Sequence, residues 1–327
     1  MENILQWGVD FIRHLQSRAT PSLTAIMIGT TYLGSAAAYL ILIPFVYWCI
    51  NVKKGFELGL VVLISAWLNI MAKLLFDQPR PFFAAYDPSL QMIPERLPGL
   101  PSGHAQNALV MWIIIASWIN KKWAYITAIV LCLAVSFSRI YLGVHFPSDI
   151  LAGWILGILI LCTYFLAGRK IETLLDKAAY RIQMVSIAAV SFIMILYRPA
   201  EDFIIPGALL FGLGAGFLLN RRYVHFESAV NADFKQTVKY RIMAVRFLLG
   251  ITVTALLYLV FRKIIPIVQG TSLFLIVYFI QYVLIGKWVS AGAPWLFCLL
   301  HLAFKPKEEN PAMSDDSVSG SNGQQAG

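Results

Sequence analysis

Apolar residues along this 327-residue chain come in blocks rather than in strand-like alternation. Runs of roughly 17 to 25 residues recur, each closed by a short charged cluster, and that length matches a helix crossing a bilayer. They fall at 24–50, 56–75, 104–119, 123–140, 149–166, 184–197, 203–219 and 243–261. A further run covers 264–285, and a last candidate, 288–304, is interrupted by Gly292 and Pro294. A barrel would need a period of two, so the expected fold class is all-α, a polytopic transmembrane helical bundle with about nine spans. Residues 1–20 mix Leu5, Val9 and Ile12 with Asp10, Arg13 and His14, too polar to span, and predict an interfacial amphipathic helix. The remainder divides into a transmembrane core that carries the chemistry (21–170), a C-terminal transmembrane extension (171–304) and a disordered tail (305–327) poor in large apolar residues.

Composition agrees with that pattern: 59% of residues are hydrophobic, 13% are charged, and the mean hydropathy is +0.70. The formal charge of +9 would fit a nucleic-acid ligand, but the cations lie in short loops between spans, where membrane orientation accounts for them. No nucleic-acid partner is expected. Lys53-Lys54, Lys121-Lys122, Arg169-Lys170 and Arg221-Arg222 share one side, which is then cytoplasmic; Arg198 and Arg262-Lys263 fall on the other. Lys287, Lys305 and Lys307 favour nine crossings with a broken final segment. Cys49, Cys132, Cys162 and Cys298 all sit in apolar runs without metal-type spacing and read as small hydrophobes.

The same span count brings scattered polar residues to one level. Lys73 ends the second span outside, and Arg80 follows in the proline-rich loop 76–103. Ser102-Gly103-His104 opens the third span, Arg139 ends the fourth, and His145 and Asp149 precede and open the fifth. Three cations and two histidines at one membrane face make a site for a phosphate-like oxyanion. Arg80 and Arg139 offer planar forks, Lys73 a point charge, the Ser102 hydroxyl and the Gly103 N–H neutral donors. Glycine admits close approach at a helix N-terminus, where unpaired N–H groups attract anions. Asp149, four residues after His145, can hold one ring nitrogen and leave the other to attack phosphorus, with His104 as the acid for the leaving oxygen. Acidic residues near these corners are too few for a divalent-ion cage, so neither a metal nor another cofactor is expected.

Lys73-x6-Arg80-Pro81, Pro101-Ser102-Gly103-His104 and Ser138-Arg139-x5-His145-x3-Asp149 together resemble the three-part signature of the type-2 phosphatidic acid phosphatase superfamily, the membrane relatives of the vanadium haloperoxidases. The resemblance covers about residues 60–166. It implies a helical core related to the haloperoxidases, a metal-independent reaction through a phosphohistidine on His145, and the roles assigned above for the other residues. Trp67-Leu68-Asn69 and Ser138-Arg139-Ile140-Tyr141-Leu142 are also similar to glucose-6-phosphatase, whereas Asp149 fits the lipid-phosphatase pattern better. Bacterial lipid phosphatases of this kind are usually shorter, six-span proteins, so residues 183–304 depart from them.

The expected protein is therefore an integral-membrane phosphatase that takes a lipid phosphate or pyrophosphate from the bilayer. Its placement would be a bacterial inner membrane, with the site on the periplasmic or outer face. The alternatives are a sugar-phosphate phosphatase like glucose-6-phosphatase, a lipid phosphotransferase, or a non-enzymatic transporter or scaffold that only grips head groups. Oligomeric state is not legible. His14, His225 and His301 lie apart from the three corners. Arg246 reads as a snorkelling or head-group-binding cation, and Tyr47, Trp48, Trp123, Tyr141 and Trp154 as interfacial aromatics.

Overall fold

A computed structural model describes residues 2–83, 86–198, 200–229 and 235–303. The tail expected at 305–327 lies outside the described residues. The chain is all-helical there. Helix α1 is Glu2–Gln16, α2 Pro21–Tyr32, α3 Ala36–Phe45, α4 Val52–Phe76, α5 Gly103–Ile119, α6 Lys122–Tyr141 and α7 Pro147–Lys177. Then come α8 Tyr180–Leu196, α9 Glu201–Leu219, α10 Gln236–Val268, α11 Phe274–Lys287 and α12 Ala293–Leu299. Single π-helical turns extend α3, α9 and α11.

By length and apolarity six helical units among the described residues can cross a bilayer: α4, α6, α7, α9 with its π turn, α10, and the continuous stretch Phe274–Leu299. The pair α2 and α3, bent by 49°, makes a seventh if it counts as one span. Nine spans require in addition that α5 and α8, 17 residues each and so about 26 Å long, cross as well. Large apolar side chains face outward along α6 and α7, among them Ile126, Ile129, Ile155, Leu159 and Leu166. Such a belt belongs in lipid and not in water. The protein is a multi-pass membrane protein.

Several expected boundaries are corrected. The run 24–50 breaks at residues 33–35, where Gly34 packs its backbone against Val135 and Tyr39 Oη caps the Gly34 carbonyl at 2.5 Å. The runs 264–285 and 288–304 divide elsewhere, because the chain turns at Gly270, φ +84°, and then stays helical to Leu299. Pro294, which lacks an N–H, is accommodated by the π turn Trp288–Gly292 just before it, so the last candidate is no separate span. The apolar stripe of α1 is buried against protein, with Leu5, Val9 and Ile12 packed on Leu90 and Phe146. Ile4 and Trp7 remain exposed.

Three of the five presumed interfacial aromatics are buried instead. Tyr47 and Trp48 donate to the Ser290 and Val289 carbonyls at 2.8 and 2.7 Å, and Tyr141 Oη meets Thr24 Oγ1 at 3.0 Å. Trp154 is half-buried and donates to Ser136 Oγ; Trp123 alone projects outward. Arg246 does not snorkel. It is buried among the carbonyls of Trp48, Ser228 and Leu302, with its guanidinium over the Phe226 ring at 5.2 Å.

Helices α4, α5 and α7 enclose one apolar cluster, including Leu58, Val62, Val110, Met111, Ile114 and Leu161. A second cluster ties Tyr47 and Trp48 to Leu213, Phe217 and Phe297 in the C-terminal half. The site depends most on how closely α5 and α7 approach. Gly153 and Gly157, one helical turn apart on α7, face the Ser102 and Gln106 carbonyls, and a Cβ at Gly153 would lie 2.6 Å from the Ser102 oxygen. That small-xxx-small spacing lets the two backbones touch and sets the start of α5 beside the start of α7.

Candidate active site

Three corners meet at one end of the bundle: the end of α4 with the loop to α5, the start of α5, and the α6–α7 turn. The last is tight because Gly143 takes φ +70°, which a side chain would strain. The turn is closed by Gly143 N–H to Ile140 O at 3.0 Å and Val144 N–H to Arg139 O at 3.2 Å. Arg139 stands before this turn, in the last turn of α6, and His145 after it, just ahead of α7. The chain 86–99 is tied over it by Met92 N–H to Leu142 O at 3.2 Å, and α1 fastens the same loop through Arg13 to Asp87 at 2.7 Å and Gln16 to the Leu90 carbonyl at 2.9 Å.

Asp149 is buried and accepts three hydrogen bonds: from His145 Nδ1 at 3.1 Å, Phe146 N–H at 3.0 Å and Gln78 Nε2 at 2.9 Å. With Nδ1–H donated to Asp149, the lone pair of His145 lies on Nε2. That nitrogen is not free, as expected from the sequence, but faces Arg80 Nη1 at 3.3 Å. Burial lowers the His145 pKa well below the usual histidine range, and the charges of Arg80, Lys73 and Arg139 lower it further, with a smaller contribution from His104. His145 is therefore a neutral imidazole near pH 7.

Arg80 and Arg139 are almost fully buried, with side chains 2% and 1% exposed. Arg80 Nε donates to Leu97 O and Nη1 to Val144 O, both at 2.6 Å. Burial pulls its pKa down to about 10, against the opposing pull of Glu95, so it stays charged. Arg139 Nη1 donates to Thr31 Oγ1 at 3.0 Å across the bend between α2 and α3. Lys73 Nζ donates to the Pro98 and Gly99 carbonyls at 2.5 and 3.0 Å.

Ser102 stands at the N-cap position of α5 without a side-chain capping bond, its N–H donates to Asp149 O at 2.9 Å, and Gly103 is the first helical residue. The Ser102 hydroxyl and Arg139 Nε are buried without a hydrogen-bond partner among the described residues, so both retain capacity for a ligand oxygen. His104 is half-buried on the first turn of α5. All eight residues singled out in the sequence thus lie at these three corners.

Four features were not foreseen. Glu95 bridges the two guanidiniums, pairing with Arg80 Nη2 at 3.3 Å and more closely with Arg139 Nη2. Gln78 holds Asp149, and Thr31 holds Arg139. Beneath Ser102 a buried chain runs from the Pro101 carbonyl to Asn69 Nδ2 at 3.3 Å, and from Asn69 to Gln106 Oε1 at 2.8 Å. It continues from Gln106 Nε2 to Ser65 at 2.8 Å and from Ser65 Oγ to Asn107 at 2.5 Å. None of these amide and hydroxyl atoms is fully buried without a partner, and the chain holds the α5 start on α4. One signal for this chain was available: four amides and hydroxyls inside two otherwise apolar runs.

Residues 54–172 match the PAP2 superfamily, and residues 205–305 match the transmembrane extension of PAP2 superfamily phosphatases. Phosphatidylglycerophosphatase B of Bacillus subtilis (strain 168) is 33% identical over 153 residues, covering 43% of this chain and 72% of that protein. Undecaprenyl-diphosphatase of Sulfolobus acidocaldarius is 27% identical over 163 residues, covering 48% and 76%. Glucose-6-phosphatase catalytic subunit 1 of Haplochromis nubilus is 27% identical over 188 residues, covering 49% of this chain but 53% of that protein, about half its length. The chain belongs to the PAP2 superfamily, as a multi-pass membrane phosphatase. The second match also gives the C-terminal half a family place that the residue motifs did not.

Proposed function

We propose that the protein removes phosphate from a lipid phosphate or pyrophosphate presented by the outer leaflet, through a phosphohistidine on His145. The hydrogen-bonded row Asp149–His145–Arg80, set beside Arg139 and Lys73 at a helix end, carries this reading. Nε2 attacks phosphorus as the P–O bond to the leaving group breaks, and His104 supplies the proton to the departing oxygen. Water, activated by the same His104, then cleaves the N–P bond, releasing phosphate and restoring the imidazole. Arg80, Arg139 and Lys73 neutralise the equatorial oxygens, with Ser102 Oγ and Gly103 N–H as neutral donors; none of these steps draws on a metal. The loops rich in Lys and Arg lie at the opposite ends of the helices, which supports a periplasmic or external site, reached sideways from the bilayer.

The test is phosphate release by detergent-purified protein from phosphatidate, phosphatidylglycerol phosphate, a sphingoid phosphate, undecaprenyl pyrophosphate and glucose 6-phosphate. Turnover of at least one lipid, blocked by vanadate and unchanged by EDTA, is expected. Release from glucose 6-phosphate alone would favour the sugar-phosphatase reading, which the similarity to glucose-6-phosphatase supports. Transfer to an added lipid acceptor would make it a phosphotransferase, and no release from any substrate would leave the head-group-binding scaffold.

A pH dependence also follows. Because burial and three cations hold the His145 pKa below its usual value, lowering the pH through 6.5 should leave Nε2 unprotonated. The acid limb of kcat/KM is then expected below pH 6.5. An acid limb centred at 6.5 or above would contradict the assignment.

A further inference from the structure

The two buried guanidiniums already hold an anion of the protein's own. Glu95, from the segment Ile93-Pro94-Glu95-Arg96, reaches Arg80 Nη2 with Oε2 and Arg139 Nη2 with Oε1. One carboxylate thus spans both forks, as two oxygens of a phosphoryl group would. We propose that Glu95 is the resident anion of the phosphate slot: it occupies the Arg80–Arg139 fork until a substrate phosphoryl group displaces it, and it returns to expel inorganic phosphate. The inference rests on the phosphate-binding reading of the site given above.

The hydrogen-bond inventory of Arg80 favours displacement of Glu95 over that of any other partner. Nε and Nη1 are held by the Leu97 and Val144 carbonyls, which orient the guanidinium, so Nη2 is the arm that can exchange one anion for another. Charge balance points the same way. With Lys73, Arg80 and Arg139 protonated and both histidines neutral, Glu95 and Asp149 leave the resting site with one positive charge. Exchanging Glu95 for a dianionic phosphoryl group makes the site neutral, whereas adding the dianion beside Glu95 would bury a net negative charge at high cost. A route out also exists, since the Glu95 side chain is 22% exposed while both arginines are sealed.

Glu95→Gln and Glu95→Ala in the full-length protein test this. Two readouts are needed: the inhibition constants of inorganic phosphate and vanadate, and the rise in melting temperature that each anion produces. Loss of the competing carboxylate should tighten phosphate and vanadate about tenfold, the worth of one charge-assisted hydrogen bond. KM should fall with it, and kcat should fall as phosphate leaves more slowly. Glu95→Ala, which leaves two buried cations unpaired, should lose stability without phosphate and recover it with phosphate, in a shift larger than that of wild type. A merely structural Glu95 would lower stability and kcat while leaving both anion constants and the anion-induced shift unchanged, and that result overturns the proposal. Should wild type release phosphate from no substrate, the phosphatase reading fails, yet the melting-temperature shifts still decide the role of Glu95. An active enzyme whose Glu95→Gln variant binds phosphate no more tightly overturns the role of Glu95 alone.

Discussion

His145→Ala is expected to lower turnover of every phosphate substrate by roughly 10⁴-fold or more, as loss of a nucleophile does when the remaining groups can only bind and polarise. Folding should survive. Asp149 would keep its hydrogen bonds from Phe146 N–H and Gln78, and Arg80 would keep Leu97, Val144 and Glu95, so no buried charge is stranded. The loss is of two hydrogen bonds, to Asp149 and from Arg80, and the packing of one ring, on the order of 2–4 kcal/mol. A retained melting profile with retained vanadate binding separates lost chemistry from lost structure. Quenching wild type during turnover of a phosphorus-labelled substrate should trap an acid-labile, base-stable label on the protein, absent from the variant. A His145→Ala protein that still turns over, or a label that survives acid, would place the nucleophile elsewhere.

That such an experiment can be framed from a sequence reflects which interactions hydropathy and residue type encode. Lys73, Arg80, His104, Arg139, His145 and Asp149 were legible because each is a rare ionisable residue at or just beyond the end of an apolar run, and span counting places such ends on one face. Glu95 was not legible. It lies in a loop, 15 residues from Arg80 and 44 from Arg139, and no periodicity links those positions. Thr31 reaches Arg139 from the last turn of α2, beside the bend to α3, and the run 24–50 displays neither the contact nor the bend. Hydropathy also cannot separate lipid-facing from protein-facing apolar residues. The windows in Glu201–Val224 and Gln236–Val268 have nearly equal hydropathy, 1.8 and 2.1, yet 67% of the first and 11% of the second is buried. The burial of Tyr47, Trp48 and Arg246 was missed for that reason: long side chains near span ends read as membrane anchors until a partner helix is seen to cover them.

Asp149→Asn should carry the second largest effect, a fall in kcat of roughly 10³- to 10⁴-fold through the tautomer of His145, by analogy with a carboxylate that orients a catalytic imidazole. The carboxylate now accepts from His145 Nδ1 and Phe146 N–H through one oxygen and from Gln78 through the other. An amide has one oxygen and one NH₂ for the same three donors. If its oxygen serves Phe146 and His145, the Asn NH₂ meets the Gln78 NH₂, which can rotate to present its own oxygen, and the active tautomer survives without its counter-charge. If its NH₂ faces the ring, Nδ1 must become the acceptor, the proton moves to Nε2, and no lone pair is left to attack phosphorus. Either arrangement removes the charge that stabilises the phosphorylated imidazole, so the fall in kcat should exceed any change in KM. Substituting Gln78 as well, with Gln78→Glu, returns a carboxylate to the group that faces Asp149 but not to His145. It should restore little activity, and recovery to within about tenfold of wild type would mean that net charge at the site matters more than the orientation of His145.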